Sequence, residues 1–160
     1  MASPNATNSS ASASVQKAEF EAGLTARDHV RLSLSLDGDQ IVAAHLRAVG
    51  CGELLNLVAA IRPQLRGNLG DLLLPEGSGH AVLLLREVLL KAQGRWSFPY
   101  QEEELCHCRA VPTKKVDEAI VSGCHTPEDV SRATRASTSC GTCRPDVNAI
   151  INYRLGRDSK

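Results

Sequence analysis

Val30-Arg31-Leu32-Ser33-Leu34-Ser35-Leu36 alternates apolar and polar residues without a slip, and Asp37-Gly38 follows it directly. A period of two predicts a strand with one buried face, here the face of Leu32, Leu34 and Leu36, and Asp-Gly predicts a hairpin turn. The return segment from Gln40 to Val49 places Val42, Ala44, Leu46 and Ala48 on one face, so a second antiparallel strand is expected. Gly50-Cys51-Gly52 breaks it. Downstream the period changes: Leu54, Leu57, Val58, Ile61 and Leu65 have helical spacing, with Pro63 shortening the helix and Gly67 ending it. Residues 67–79 read as loop, and His80 to Gln93 reads as a leucine-dense helix closed by Gly94. Such density implies burial against the strands. The expected class is therefore α+β, an antiparallel sheet with helices packed on it.

Upstream of the first strand, Met1 to Gln16 is rich in Ala, Ser and Asn and has neither a basic nor a hydrophobic signal region. A disordered tail over residues 1–25 is expected. The whole chain has 160 residues, 42% of them hydrophobic and 22% charged, which is a soluble globular balance. Lysine plus arginine equals aspartate plus glutamate at 18 each, so there is no net field to attract nucleic acid or an anionic membrane. Aromatic residues make up 3%, too few for a base-stacking surface. No apolar run approaches the roughly 18 residues that span a bilayer. The expectation is a cytoplasmic protein with no nucleic-acid and no membrane partner.

Arg95 to Glu104 follows neither period and reads as a linker. Beyond it three short helices are expected: Thr113 to Ser122, capped by Thr113; a second opened by Thr126-Pro127-Glu128-Asp129; and a third opened by Pro145 and stopped by Gly156. The apolar residues in this half are few, which is thin for independent folding. A metal centre would supply the missing cross-link.

Six cysteines without an export signal point to thiolate chemistry rather than disulfides. Four of them form two tight pairs, Cys106-His107-Cys108 and Cys140-Gly141-Thr142-Cys143, separated by 31 residues. Four soft ligands select zinc or an iron–sulfur cluster, and spacing alone does not separate the two. Cys143 lies two residues before Pro145, at an expected helix N-terminus, where free amides and the helix dipole favour an anionic centre. Thr138 and Thr142 could add hydroxyls around it. His107 is expected to face solvent, and Cys124 to be a small packed residue.

The run from Cys106-His-Cys108-Arg-Ala-Val111-Pro-Thr113 through Ala119-Ile-Val-Ser-Gly123 and Thr126-Pro-Glu-Asp-Val130 to Thr138-Ser-Cys140-Gly-Thr-Cys143-Arg-Pro145 resembles the bacterioferritin-associated ferredoxin-like domain. That resemblance implies a small all-α fold over residues 104–156. It also implies that Cys106, Cys108, Cys140 and Cys143 ligate one [2Fe-2S] cluster. Val49-Gly50-Cys51-Gly52, after two strands and before a helix, resembles the U-type iron–sulfur scaffold family of IscU and the first part of NifU. His80-Ala81 and Ala26-Arg27-Asp28 fall where that family carries His-Cys and Cys-Gly-Asp, so two scaffold cysteines are replaced, at Ala26 and Ala81. The resemblance implies a degenerate scaffold unit over residues 26–95, joined by a linker at 96–103. It leaves Asp28, Cys51 and His80 as a second set that could hold iron or zinc. Cys51 also has a plainer reading, as a small buried residue in a glycine turn.

These resemblances imply a NifU-like, cluster-binding one-electron carrier or accessory factor of iron–sulfur assembly or iron metabolism, meeting a redox partner or an assembly protein. The alternatives are an active scaffold working through Cys51 and a zinc-stabilised interaction module. No phosphate loop, nucleophile elbow or metalloprotease motif is present, and a Cys51–His80 nucleophile has nothing in the sequence to position it. The expectation is that the chain is not an enzyme.

Overall fold

The computed structural model describes residues 14–24 and 27–157. The tail expectation for residues 1–13 and the Ala26 match lie outside the described residues. Four strands form one antiparallel sheet in the order β1 (Gln16–Gly23), β2 (His29–Asp37), β3 (Gln40–Val49) and β4 (Gly67–Asn68). Between β3 and β4 lies α1 (Gly52–Ile61), and α2 (His80–Ala92) follows the sheet. The second half contains a hairpin of β5 (Glu104–Cys106) and β6 (Val111–Pro112), then α3 (Thr113–Val121), α4 (Pro127–Thr134) and α5 (Arg144–Arg154). The α+β class holds, and the second half adds a two-stranded hairpin to the helices expected there.

The alternating run becomes β2, with Val30, Leu32 and Leu34 buried. Gly38 takes the turn at φ 59°, in the left-handed region glycine enters without steric cost. In β3 the expected inward face is interrupted. Ser35 pairs with Ala43 and Leu36 with Ile41, so Val42 is passed over in a bulge, lies 60% exposed, and leaves Ile41 to face the core. A second correction concerns residues 16–25, expected as tail. Gln16–Gly23 is β1, paired along its whole length with β2. Its inward residues are Phe20 and Ala22, alternating with Lys17, Glu19 and Glu21; an edge strand carrying charges on its open face is weakly hydrophobic and easily read as tail.

Pro63 ends α1, and the chain continues through a short 3-10 turn at Arg62–Gln64. Helix α2 buries Leu83, Leu84, Leu85, Val88 and Leu89 against β1, β2 and α1. A fully buried leucine contributes about 1.5–3 kcal/mol, so α2 fixes the first core. Thr126 caps α4 as expected, accepting from the Asp129 amide at 3.2 Å. Thr113 does not cap α3. It is the first helical residue, and its hydroxyl donates to the Glu102 carbonyl at 2.6 Å, tying α3 to the linker.

Two apolar clusters result, one under the sheet and one among α3, α4, α5 and the β5–β6 hairpin. They meet at Arg154 near the end of α5. This guanidinium is 5% exposed and reaches Glu87 of α2 at 2.6 Å and Asp117 of α3 at 2.6 Å. It also lies 4.8 Å from the centre of the Trp96 ring, which packs edge-on against Tyr153 at 5.1 Å. The Ser97 amide donates to the Tyr153 hydroxyl at 2.6 Å. The segment expected as a bare linker is thus docked between the halves.

Candidate metal centre

Two groups of ligand-type side chains form in the structure. The first gathers Asp28, just before β2, Cys51, the N-cap residue of α1, and His80, the first residue of α2. Cys51 Sγ and Asp28 Oδ2 each lie 2.9 Å from His80 Nε2, and Asp28 Oδ1 accepts the Cys51 amide at 2.9 Å. The three ligand atoms all fall within 4.8 Å of one another. Gly50 makes this approach possible. It sits at φ 156°, and a Cβ there would stand 2.2 Å from Asp28 Oδ1.

Cys51 and Asp28 both converge on Nε2 of His80, while its Nδ1 faces the Glu53 carboxylate at 3.8 Å. Mixed sulfur, nitrogen and oxygen donors directed at one point suit zinc or ferrous iron, with a position left open. The three side chains line a cavity of about 580 Å³ whose other walls include Lys115 and Glu118 of α3, Ser122 just after it, and Thr134 of α4.

The second group is the paired cysteines. Cys106 ends β5, Cys108 lies in the turn after it, Cys140 lies in the loop after α4, and Cys143 caps α5. One member of each pair is buried, Cys106 at 1% and Cys143 at 6% exposure, and one member of each, Cys108 and Cys140, is exposed. Cys108 Sγ lies 3.7 Å from Cys106 Sγ and 3.4 Å from Cys140 Sγ. All four thiols line one cavity of about 450 Å³, with Tyr100, Glu102, Thr142 and Asp146 among its other walls. The donor chemistry fits a four-thiolate centre. Hydrogen bonds from the Thr142 side chain and backbone, then from Cys108, pull the Cys140 thiol down to about 7, so it ionises readily near neutral pH.

The backbone around these pairs is strained. Among the described residues, the non-glycine positions with positive φ are Ala110 (49°), Arg135 (73°) and Ser137 (59°), all within a few residues of a cysteine pair. Such positions cost about 1–3 kcal/mol each and persist only where the surroundings over-determine them. Ser137 Oγ lies 3.1 Å from Cys143 Sγ. His107 is 69% exposed and pairs with Glu104 at 3.1 Å, the solvent-facing placement expected of it. Cys124 is half-buried and packs on the second core, and burial raises its thiol. The sequence reading missed Ser137 and the Arg154 cluster. A signal for the latter existed, since Glu87 is a lone acid on the buried face of a leucine-rich helix.

Comparison with known proteins identifies the second half. Residues 105–153 match the family model of the BFD-like [2Fe-2S] binding domain. These residues form a BFD-like [2Fe-2S] binding domain. Its cofactor is a [2Fe-2S] cluster. The chain is 36% identical over 58 residues to the nitrite reductase [NAD(P)H] of Bacillus subtilis, across 36% of this chain and 7% of that protein. It is 32% identical over 53 residues to the nitrate reductase of Klebsiella oxytoca, across 33% of this chain and 6% of that protein. With the nitrite reductase (NADH) large subunit of Escherichia coli it shares 35% identity over 54 residues, 34% of this chain and 6% of that protein. The chain therefore spans less than a tenth of the length of these relatives.

The expectation that the chain is not an enzyme is corrected by these matches: each relative is named as a reductase, so the shared segment is a part of enzymes. The family match begins at residue 105, and the scaffold resemblance of the first half does not rest on it. No solved structure matches the chain. Among the described residues, no helix is long and apolar enough to cross a membrane.

Proposed function

We propose that the chain is an electron-transfer module in which Cys106, Cys108, Cys140 and Cys143 ligate the [2Fe-2S] cluster and serve a reductase-type partner. The observation that carries this reading is the joint placement of four thiols in one surface cavity inside the BFD-like domain. The cluster, when bound, accepts and passes one electron. Buried Cys106 and Cys143 anchor it to the second core, while exposed Cys108 and Cys140 form the edge that a redox partner approaches. Cys143 is the N-cap residue of α5, so the positive end of that helix would favour an anionic centre held there. Six free cysteines suit a reducing compartment, the cytoplasm in this reading.

The test is an anaerobic reductive titration of the full chain. One electron per chain, taken up and returned reversibly, is expected; no reversible uptake overturns the carrier reading.

A second reading is favoured by the convergence of Asp28, Cys51 and His80. In it the first half, beginning at β1 and ending near residue 95, is a degenerate NifU-like scaffold unit that retains a mononuclear iron or zinc site. Residues 96–103 link it to the [2Fe-2S] unit at 104–156, and the whole acts as an accessory factor in iron–sulfur assembly or iron metabolism. Two apolar clusters, with Val121 and Leu155 of the second half reaching into the first, support this division. The chemistry left at the site is that of a metal holder with one open position, since three donors fall short of the four a [2Fe-2S] cluster takes.

A further inference from the structure

We propose that Ser137 tunes the [2Fe-2S] centre: a left-handed backbone turn holds its hydroxyl against the sulfur of Cys143, and that hydrogen bond raises the reduction potential of the cluster. The inference rests on the four-cysteine ligation proposed above and adds to it a residue that is not itself a ligand.

The placement starts at the end of α4. The Thr134 hydroxyl donates to the Val130 carbonyl at 2.7 Å and accepts the Ala136 amide at 3.1 Å, and Ala136 is fully buried. Arg135, between them, is forced to φ 73°, so the chain turns sharply out of the helix. Ser137 then takes φ 59°, a conformation that glycine would adopt without steric cost and serine adopts against it. The side chain accounts for that tolerance. It sets Oγ 3.1 Å from Cys143 Sγ.

A thiolate ligand cannot donate, so in the loaded protein the hydroxyl donates and the sulfur accepts. A hydrogen bond to a ligand sulfur stabilises the more electron-rich, reduced state, and so raises the potential. The reduction adds one electron to the cluster while the proton stays on Oγ; no bond is made or broken. Cys143 is almost wholly buried, so water is poorly placed to replace a lost hydroxyl. Thr138, one residue on, is the internal contrast. Its hydroxyl donates to the Arg135 carbonyl at 2.7 Å and not to a sulfur.

The experiment uses the full chain, reconstituted anaerobically with iron and sulfide, in wild-type, Ser137→Ala, Ser137→Gly and Thr138→Ala forms. Iron and sulfide are counted, the midpoint potential is measured by spectroelectrochemical titration, and iron–thiolate stretching is recorded by resonance Raman in H2O and D2O. Both Ser137 variants are expected to keep the full cluster, to shift the potential in the negative direction, and to lose a deuterium-sensitive stretch present in the wild type. Thr138→Ala is expected to match the wild type in all three. Ser137→Gly relieves the backbone while removing the hydroxyl, so a shift in the alanine variant alone assigns the effect to strain and overturns the proposal. Unchanged potentials in both variants overturn it, as does cluster loss in both with retention in Thr138→Ala, which marks a structural role. A wild-type chain that takes up no iron and sulfide overturns the four-cysteine ligation, and the tuning role with it, before any variant is compared.

Discussion

The Asp28–Cys51–His80 group and the paired cysteines solve the same problem in opposite ways. The triad takes one residue from each of three distant points, 23 and 29 positions apart, and plants them at the starts of β2, α1 and α2. Hydrogen bonds and an ion-pair contact join them to one another. The cysteines come as short-range pairs, each with one member at an element end, Cys106 in β5 and Cys143 at the N-cap of α5, and one in a loop, close to positive-φ backbone at Ala110, Arg135 and Ser137. Element ends far apart in sequence deliver three mixed donors to one point, whereas two short-range pairs, half on element ends and half on loops, bring four like donors around a larger space. The first arrangement suits a single ion and the second a cluster whose charge changes.

Removing a cluster ligand should give the largest effect. Cys106→Ser or Cys143→Ser is expected to abolish the cluster's visible absorbance and its acid-labile sulfide, while Cys51→Ser leaves both at the wild-type level. If Cys51→Ser costs the chain its cluster, the separation of the two sites fails.

Next comes the junction between the regions. Glu87→Gln leaves Arg154 buried with one carboxylate partner fewer, and breaking a buried pair costs about 3–5 kcal/mol. Urea unfolding of the full chain should show a loss near the lower end of that range, because Asp117 still holds the guanidinium. An unchanged midpoint would mean that the halves dock without this contact.

A smaller effect is expected at Gly50. Gly50→Ala drives a methyl into the space of the Asp28 carboxylate. Losses of supporting groups around a metal typically cost about 10–100-fold in affinity. Titration with cobalt or zinc of chain already loaded with its cluster should show such a loss at the triad, with the cluster's absorbance unchanged. Equal affinity in the variant would show that Asp28 is not a ligand.

Much of this was legible because it was local. The period of Val30 to Leu36, the cap at Thr126 and the two cysteine pairs each declare themselves within a few residues. The exposure of Val42 was not legible, since the bulge that causes it depends on how Leu36 and Ile41 pair. Strand β1 was missed because Phe20 is the one large residue on its inward face, beside Ala18 and Ala22, while Lys17, Glu19 and Glu21 alternate with them. Neither spacing nor composition assembles Asp28, Cys51 and His80; only the resemblance to the scaffold family grouped them. Ser137 could not be found, because its approach to Cys143 depends on the turn out of α4 and on a positive φ that the sequence does not announce.

The most direct test is the iron, acid-labile sulfide and zinc content of the full chain purified without oxygen. About two iron and two sulfide per chain, beyond any single ion at the triad, are expected from one [2Fe-2S] centre on the four paired cysteines. Zinc near one per chain with no sulfide, persisting after anaerobic reconstitution with iron and sulfide, would contradict it.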